Sequence, residues 1–410
     1  MGRHKLKRTN RDPLYTGQLQ NTSEIAPGDD APAGKVAPQS WAIAIAETIM
    51  KRNPGTPIDR LARWGYVTGY TLNGIEMVAN TTGDPRYWEF IIRVLDQFID
   101  EEGNLNNNIR LDSLDNVMSG NIIVGLYEHT GDERYRTAAN QIRRVFDTFP
   151  RNSDGGFWHN PKLAGEMWVD GVFMGAMPLI RYGKSIGDSE YCYDEVVKQI
   201  TLFAGHCRKG NSGLYYHAWA EKQSDKPSKG ASSWADPATG LSSEVWSEGL
   251  GWYALILVET LSMLPMNHAG RAVILDIYIR LAAGLKRTQD SKSGRWFQIV
   301  DKGNEVDNWT DTSGSAIFTY SLQRGIELGL LASREYAPVV TRGYRGIIEK
   351  AKINNGGLVD IYSACQGLCV QSNYAEYIDY PKKVNANEAV AGCLWATAIV
   401  EKPGAKKTVK

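Results

Sequence analysis

The short motif Gly-Asp-x-x-Tyr recurs three times in this 410-residue chain and constrains its fold more than any other feature. The copies occupy residues 83–87, 131–135 and 187–191, and a worn copy lies at 333–336. Each copy separates two segments whose apolar residues have helical spacing. Glycine suits the end of one helix, and aspartate suits the N-cap of the next. The repeat therefore predicts successive antiparallel helix pairs, with the tyrosine packed in each joint.

Six leading helices are predicted, beginning near Trp64, Asp115, Trp168, Glu244, Thr310 and Asn385. They are rich in small residues that permit close packing in an inner ring, whereas the trailing helices have one polar stripe, as in an outer ring. Strand-like alternation is scarce, so the predicted fold class is all-α. Long aromatic loops precede the leading helices. We therefore favour an (α/α)6 barrel of six helical hairpins, with a pocket at that end, over an open solenoid.

The two ends of the chain differ in composition from the rest. Residues 1–38 are polar and rich in Gly, Pro, Asp and Asn, which predicts a flexible N-terminal arm. The barrel is expected to span residues 39–402, followed by a C-terminal tail over 403–410. The first residues lack the apolar stretch of a secretory signal, so the sequence as given predicts a cytoplasmic protein.

Overall charge and cysteine usage exclude several classes of protein. The 46 Lys and Arg residues balance 46 Asp and Glu residues, which argues against nucleic acid or an anionic membrane as the main partner. No apolar run approaches the length of a membrane-spanning helix. The five cysteines form neither a disulfide framework nor a zinc motif, so we expect reduced, buried thiols and no metal or cofactor. The oligomeric state stays open.

Aromatic and acidic residues are concentrated where the leading helices begin. Because these helices all start at one end of the barrel, their free N–H groups converge on one mouth. The tryptophans of this region are Trp158, Trp168, Trp219, Trp234, Trp246, Trp252 and Trp309. The acids are Asp115, Asp170, Glu244, Glu248 and Asp311. Aromatic rings beside carboxylates, without a metal-ligand cluster, favour a carbohydrate enzyme with a small sugar substrate.

Two aspartates are the candidate catalytic acids. Trp168 and apolar neighbours would desolvate the carboxyl group of Asp170, which suits a general acid, although the helix N-terminus acts in the opposite sense. A helix cap or an ordinary first-turn acid is the alternative. Asp115 begins another helix and could be a second carboxylate. One of Asp112 and Asp115 is expected to cap that helix.

Three further positions are candidate sugar contacts. His217 lies between aromatic residues in GLYYHAW and is either a structural group or a contact to a sugar. Glu248 and Trp252 are four residues apart, so they share a helix face that could form part of a sugar site. The alternative is a core tryptophan with a surface glutamate.

These blocks together resemble a known enzyme family. GGFWH…MWVDGVFM, GLYYHAW, WSEGLGWY and NWTDTSGSAIFTYSL, in this order, resemble family 105 of the glycoside hydrolases, the unsaturated rhamnogalacturonyl hydrolases. The unsaturated glucuronyl hydrolases of family 88 are related. The resemblance covers roughly residues 40–400. It implies an (α/α)6 barrel and a hydrolase that removes a terminal 4,5-unsaturated uronic acid from lyase-generated oligosaccharides.

The resemblance also implies a mechanism and a set of site residues. An acid protonates C4 of the enol ether, water adds at C5, and the resulting hemiketal collapses without a metal or a covalent intermediate. By position, Asp170 matches the general acid/base and Asp115 the assisting acid. The positions matching residues that line the sugar site are Trp168, His217, Trp246 and Trp252.

Two positions depart from the family pattern. Asn160 stands where many members have lysine, with Lys162 two residues later, and Glu248 stands where many have arginine. Both departures remove a positive charge that could meet a carboxylate, so they leave the identity of the substrate open.

Two other functions remain as alternatives. A conventional inverting glycosidase on the same barrel needs two carboxyl groups about 6.5–9.5 Å apart. A non-catalytic helical-repeat scaffold predicts a long concave binding face instead of a pocket, and the clustered tryptophans count against it.

Overall fold

The computed structural model describes residues 37–222 and 233–402. Nearly all of the predicted N-terminal arm and the whole predicted tail over 403–410 lie outside the described residues, so the domain boundaries stay predictions. The helices are α1 (Trp41–Arg52), α2 (Tyr66–Thr82), α3 (Pro85–Asp96), α4 (Leu114–Val117), α5 (Gly120–Thr130), α6 (Glu133–Val145), α7 (Val169–Ser185), α8 (Ser189–Cys207), α9 (Ser247–Met263), α10 (Arg271–Thr288), α11 (Thr312–Glu327), α12 (Ser333–Glu349), α13 (Tyr374–Ile378) and α14 (Asn387–Val400).

Short antiparallel strand pairs lie in the loops between the helices. They are β1 (Glu166–Trp168) with β2 (Ala218–Ala220), β3 (Trp296–Phe297) with β4 (Thr310–Asp311), β5 (Ala351–Ile353) with β6 (Val359–Ile361), and β7 (Ala364–Cys365) with β8 (Lys382–Lys383). In the first pair Trp168 lies opposite Ala218, and this register holds the segment that contains His217 beside the start of α7.

Six helices form a closed inner ring. The order around the ring is α2, α5, α7, α9, α11 and α14, and α14 packs against α2 to complete it. Each of the first five is followed in the chain by the outer helix that packs on it, namely α3, α6, α8, α10 and α12. The predicted (α/α)6 barrel is therefore confirmed, and a closed ring excludes the open solenoid.

Glycine allows the inner helices to approach one another closely. A Cβ atom added to Gly249 would lie 2.8 Å from Val169 Cγ1, where α9 packs on α7. At Gly314 an added Cβ would overlap Ser247, where α11 packs on α9. The small residues that suggested an inner ring are thus needed at its helix contacts.

The repeated motif forms the helix joints as the sequence predicts. Gly83 and Gly131 end α2 and α5 in the left-handed conformation, each with a φ angle of 69°. Asp84 and Asp132 then accept hydrogen bonds from the backbone N–H groups two residues later and cap α3 and α6. In the third copy Asp188 makes no cap and pairs with Arg143 instead.

The sixth helix pair departs from this order. The outer partner of α14 is α1, which comes from the opposite end of the described chain. The Glu401 carboxylate, directly after α14, accepts hydrogen bonds from the backbone N–H groups of Trp41 and Ala42 at 3.1 and 3.2 Å and from Ser40 Oγ at 2.7 Å. It also accepts one from Tyr344 on α12 at 2.6 Å. A single carboxylate therefore caps α1 and fastens the two ends of the barrel together.

Two further features concern helix length and the cysteines. No helix among the described residues is both long and apolar enough to cross a bilayer. All five cysteines are described and none is in a disulfide; four of the thiols are buried, and that of Cys369 is half-buried.

We expect Glu401→Ala to lower the free energy of unfolding by about 2–3 kcal/mol, because several N–H and O–H donors at the seam lose an ionised acceptor. Denaturant titration followed by circular dichroism measures this change. Glu349→Ala, at an exposed position at the end of α12, is the control and is expected to have little effect. Equal midpoints for the two variants would contradict this role of Glu401.

Candidate active site

Five of the helices that begin at the mouth of the barrel have a polar residue at their second position. It is Asp115 in α4, Asp170 in α7, Glu248 in α9, Ser313 in α11 and Glu388 in α14. Since these helices all begin at one end of the barrel, four acids gather at its mouth. We refer to these four carboxyl groups as the acidic cup. Besides burial, the charges of Asp170 and Glu388 raise the pKa of both Asp115 and Glu248, so the four carboxyl groups lie close enough to interact.

Asp170 is held by a buried hydrogen-bonded chain. His217 Nε2 lies 3.0 Å from Asp170 Oδ2, and His217 Nδ1 lies 2.8 Å from the hydroxyl oxygen of Tyr377. That hydroxyl accepts a hydrogen bond from the backbone N–H of Gln371. The hydroxyl group can then donate its own proton to Nδ1, and in that tautomer the hydrogen on Nε2 faces Asp170 Oδ2.

Aromatic rings enclose this chain. The Trp168 indole stacks on the ring of His159 with centroids 4.4 Å apart and meets His217 edge-on at 6.0 Å. Its Nε1–H donates to Glu166 Oε2 at 2.7 Å, which fixes the indole. Asp170 keeps 15% of its side-chain surface exposed, whereas His217 keeps none. The structure therefore brings Asp170, Trp168 and His217 together, with only the carboxyl group open to solvent.

Asp115 is the second aspartate of the acidic cup. Burial raises its pKa; the nearby His159, with Nε2 3.7 Å from Asp115 Oδ2, opposes the rise, while the charge of Asp170 adds to it. The expectation that Asp112 or Asp115 caps α4 is wrong. Ser113 does so, because its hydroxyl oxygen accepts from the backbone N–H of Asn116 at 3.3 Å.

Glu248 is buried, with 2% of its surface exposed, so the alternative of a surface glutamate is wrong. The Ser313 hydroxyl lies 2.6 Å from Glu248 Oε2 and 2.7 Å from Asp311 Oδ2. Burial, followed by the charges of Glu388 and Asp311, raises the pKa of Glu248 well above its ordinary value. This carboxyl group therefore tends to keep its proton.

The two tryptophans of the WSEGLGWY block take different places. Trp252 is buried in the barrel core, stacked on Phe173 at 5.0 Å and meeting Tyr70 edge-on at 4.7 Å. Trp246 is equally buried and packs against the His217 ring, with centroids 4.6 Å apart. Trp252 thus fits the alternative of a core tryptophan. Trp246 supports the histidine that holds Asp170.

Sequence reasoning missed Glu388 and Tyr377. Glu388 could have been found from the helix register, because it occupies the same position in α14 as Asp170 does in α7. Its carboxylate accepts a hydrogen bond from the Tyr66 hydroxyl at 2.6 Å. Tyr377 carries no local signal, since it lies 160 residues from the histidine that it contacts.

Two cationic side chains lie near Glu388, one of the acids of the acidic cup. Arg60 and the half-buried Lys383 both interact electrostatically with Glu388. Burial lowers the pKa of Lys383, and the charge of Arg60 lowers it further. At the departing position 160, the Asn160 side chain only accepts from the backbone N–H of Lys162 in a local turn, at 2.9 Å. Across residues 37–222 and 233–402, no three His, Cys, Asp or Glu side chains are grouped so as to hold a metal ion.

A closed ring of helix pairs with acids and aromatic rings at one mouth defines a barrel enzyme that acts on carbohydrate. Comparison with known families agrees: the model described as Glycosyl Hydrolase Family 88 matches residues 41–403. The chain belongs to this family of glycosyl hydrolases.

Individual relatives support the assignment. A family 105 glycoside hydrolase from C. acetobutylicum has a TM-score of 0.81 and 30% identity, and the match covers 88% of this chain and 99% of that one. Protein Atu3128 of Agrobacterium fabrum is 32% identical over 174 residues, which is 42% of this chain and 70% of the relative. An unsaturated 3S-rhamnoglycuronyl hydrolase of Alteromonas sp. is 22% identical over 191 residues, 46% of this chain and 42% of the relative. The resemblance to families 105 and 88 is confirmed.

Tyr377→Phe tests the hydrogen-bonded chain without reference to activity. Removing the hydroxyl leaves the buried His217 Nδ1 without its donor, so we expect a loss of about 1–3 kcal/mol in the free energy of unfolding. We also expect the ¹⁵N shifts of His217 to change, because its tautomer is no longer fixed. Tyr380→Phe, which removes a long 3.4 Å bond to Gly367, is the matched control. Unchanged His217 shifts in Tyr377→Phe would refute the assigned tautomer.

Proposed function

We infer that this protein is an unsaturated uronyl hydrolase, which removes a terminal 4,5-unsaturated uronic acid from oligosaccharides made by polysaccharide lyases. The observation that carries this inference is a largely buried carboxyl group, Asp170, that keeps 15% of its side-chain surface exposed and is held by buried His217 at the mouth of a family 88 barrel. The name of the Alteromonas relative, an unsaturated 3S-rhamnoglycuronyl hydrolase, agrees with this class of reaction. The substrate partner is a small unsaturated rhamnogalacturonyl or glucuronyl oligosaccharide.

Asp170 is the proposed proton donor. His217 donates to Oδ2 and leaves Oδ1 to carry the proton that is transferred. Transfer of this proton to C4 of the enol ether places positive charge on C5 and the ring oxygen. The Asp170 carboxylate then accepts a proton from water as the water oxygen bonds to C5, so one side chain acts as acid and then as base.

The product of this step breaks down without further help from the protein. The hydrated C5 is a hemiketal, and cleavage of its bond to the ring oxygen gives a ketone at C5. C1 is then a hemiacetal, which releases the next sugar as an alcohol and becomes an aldehyde. One water is consumed in total, and no group on the protein is covalently modified.

Asp115 is the proposed assisting acid. Because burial raises its pKa, it retains a proton to higher pH than an exposed aspartate and can donate a hydrogen bond to the sugar. His159, beside it and stacked on Trp168, connects the two halves of the site.

The carboxylate of the uronic acid needs a positive partner, which positions 160 and 248 do not supply. Arg60 and Lys383 are the proposed partners, since both lie within electrostatic reach of Glu388 in the acidic cup. Their placement beside α14 differs from the two positions at which the family pattern has cations.

Asp170→Asn is expected to fold normally and to lose about 10²–10⁴-fold in kcat, the usual contribution of general acid–base catalysis. The measurement is the loss of ultraviolet absorbance of the unsaturated uronate in lyase-digested polysaccharides, tested as a panel. Turnover within threefold of the unsubstituted protein would remove Asp170 from this role. Cleavage of saturated oligosaccharides, with none of unsaturated ones, would favour the conventional inverting glycosidase.

Lys383→Met is expected to raise KM on the order of tenfold, with a smaller change in kcat, because an anionic substrate loses an ion pair near the acidic cup. Lys382→Met is the matched control: it alters the exposed neighbouring lysine, whose ammonium lies 4.8 Å from the Trp309 ring centroid. Equal KM values for the two variants would show that Lys383 does not bind the substrate carboxylate.

A further inference from the structure

The hydroxyl group of Ser313 fixes the number of protons held by two buried carboxyl groups. Its oxygen lies 2.6 Å from Glu248 Oε2 and 2.7 Å from Asp311 Oδ2. A hydroxyl group has one proton and can donate to only one of these oxygens. The other oxygen faces a lone pair at hydrogen-bond distance, which is stable only if that carboxyl group carries a proton itself. One of the two acids is therefore protonated.

The backbone decides which acid is ionised. Asp311 caps α11, and its Oδ2 accepts from the Gly314 N–H at 2.7 Å while its Oδ1 accepts from the Cys365 N–H at 2.9 Å. Such donors stabilise a carboxylate. Burial raises the pKa of Asp311, but these bonds counter the rise, whereas the pKa of Glu248 is raised well above its usual range. The proton thus belongs to Glu248, which donates to Ser313, which donates to Asp311.

The surroundings of Glu248 also disfavour a charge. The groups that act on it are Glu388 of α14, Asp311 before α11 and Asp170 of α7, all of them acids. Besides burial, the charge of Glu248 also raises the pKa of three groups that are neutral at ordinary pH, namely Tyr70 of α2, Cys365 of β7 and Tyr380. An ionised Glu248 would meet repulsion from three helices at once.

We propose that Glu248 remains a neutral carboxyl group at neutral pH, and that its neutrality lowers the negative charge of the acidic cup enough for an anionic sugar to bind. Glu248 is then a specificity-determining residue that acts through charge. The nature of the anionic sugar rests on the proposed function, but the proton on Glu248 does not.

Two consequences follow for pH dependence. As the pH rises and Glu248 ionises, repulsion of the substrate carboxylate raises KM. Stability changes at lower pH than KM does: the folded state keeps the proton of Glu248 above the pH at which the unfolded state releases it, so the free energy of unfolding falls as the pH rises above the ordinary glutamate range and levels off where Glu248 ionises in the folded state.

Glu248→Gln keeps the shape of the side chain but cannot ionise. It therefore isolates the effect of the Glu248 charge on KM and on stability. We expect its KM for an unsaturated uronyl disaccharide to stay within about twofold of the unsubstituted protein near neutral pH. In alkaline buffer the KM of the unsubstituted protein should rise on the order of tenfold more than that of Glu248→Gln, because loss of the Lys383 charge affects both proteins equally. Glu244→Gln is the control: it alters a buried glutamate paired with Lys302 at 2.7 Å, and it should keep the alkaline rise.

Infrared spectroscopy gives a measurement that does not require turnover. The folded protein at neutral pH should show a C=O stretch from a protonated carboxyl group that is lost in Glu248→Gln and retained in Glu244→Gln.

The proposal fails if this band is absent or unchanged, if Glu248→Gln shows the same alkaline rise in KM, or if its KM at neutral pH rises more than tenfold. If neither protein consumes any unsaturated substrate, the proposed function fails, and the infrared result still decides the proton on Glu248. Should Glu248→Gln not fold, the band in the unsubstituted protein and its loss on raising the pH decide the same point.

Discussion

Closure of the inner ring is the constraint on which the site depends. Six helices can enclose an axis only if each packs closely on both neighbours, and Gly249 and Gly314 provide that approach where α9 meets α7 and α11. Because every inner helix runs in the same direction, closure also brings six N-termini to one mouth. The second residues of α7, α9 and α14 therefore contribute to the same acidic cup although they belong to different repeats.

The same geometry explains how much of the protein could be predicted. The helix pairs and the inner ring follow from a local pattern, because Gly83 and Asp84 act within a few residues of their own positions. Asp170 could be singled out because Trp168 is its near neighbour in sequence. Contacts between distant segments could not be predicted: Tyr377 meets His217 across 160 residues, and α1 packs outside α14, where Glu401 accepts hydrogen bonds from the start of α1. Burial also separates two residues that the sequence spacing predicts to be a pair: Trp252 lies in the core, as one alternative predicts, whereas Glu248 is buried and not on the surface.

Acidic side chains have different kinds of partner at the two ends of the inner ring. Toward the C-terminal ends of the inner helices, Arg181 of α7 bridges Glu76 of α2 and Glu128 of α5, and Arg324 of α11 pairs with Glu259 of α9. Glu76 and Glu259 are buried with cationic partners, so removing a partner would leave an uncompensated buried charge. At the mouth, the hydrogen-bond partners of Asp170 and Glu248 are an imidazole ring and a hydroxyl group instead. The end with paired charges is suited to holding the ring, and the end without them is suited to proton transfer.

Helix N-termini partly offset the cost of gathering acids at the mouth, but their stabilisation is small, typically about 0.3–1 kcal/mol for each charge. Direct repulsion between neighbouring carboxylates in a poorly solvated site is larger than this, about 4 kcal/mol at 4 Å for an effective dielectric constant of 20. Burial and the charges of neighbouring acids accordingly raise the pKa of Asp115 and of Glu248. Carboxyl groups crowded in this way are suited to holding a proton near neutral pH, which is what the proposed protonation of an alkene requires.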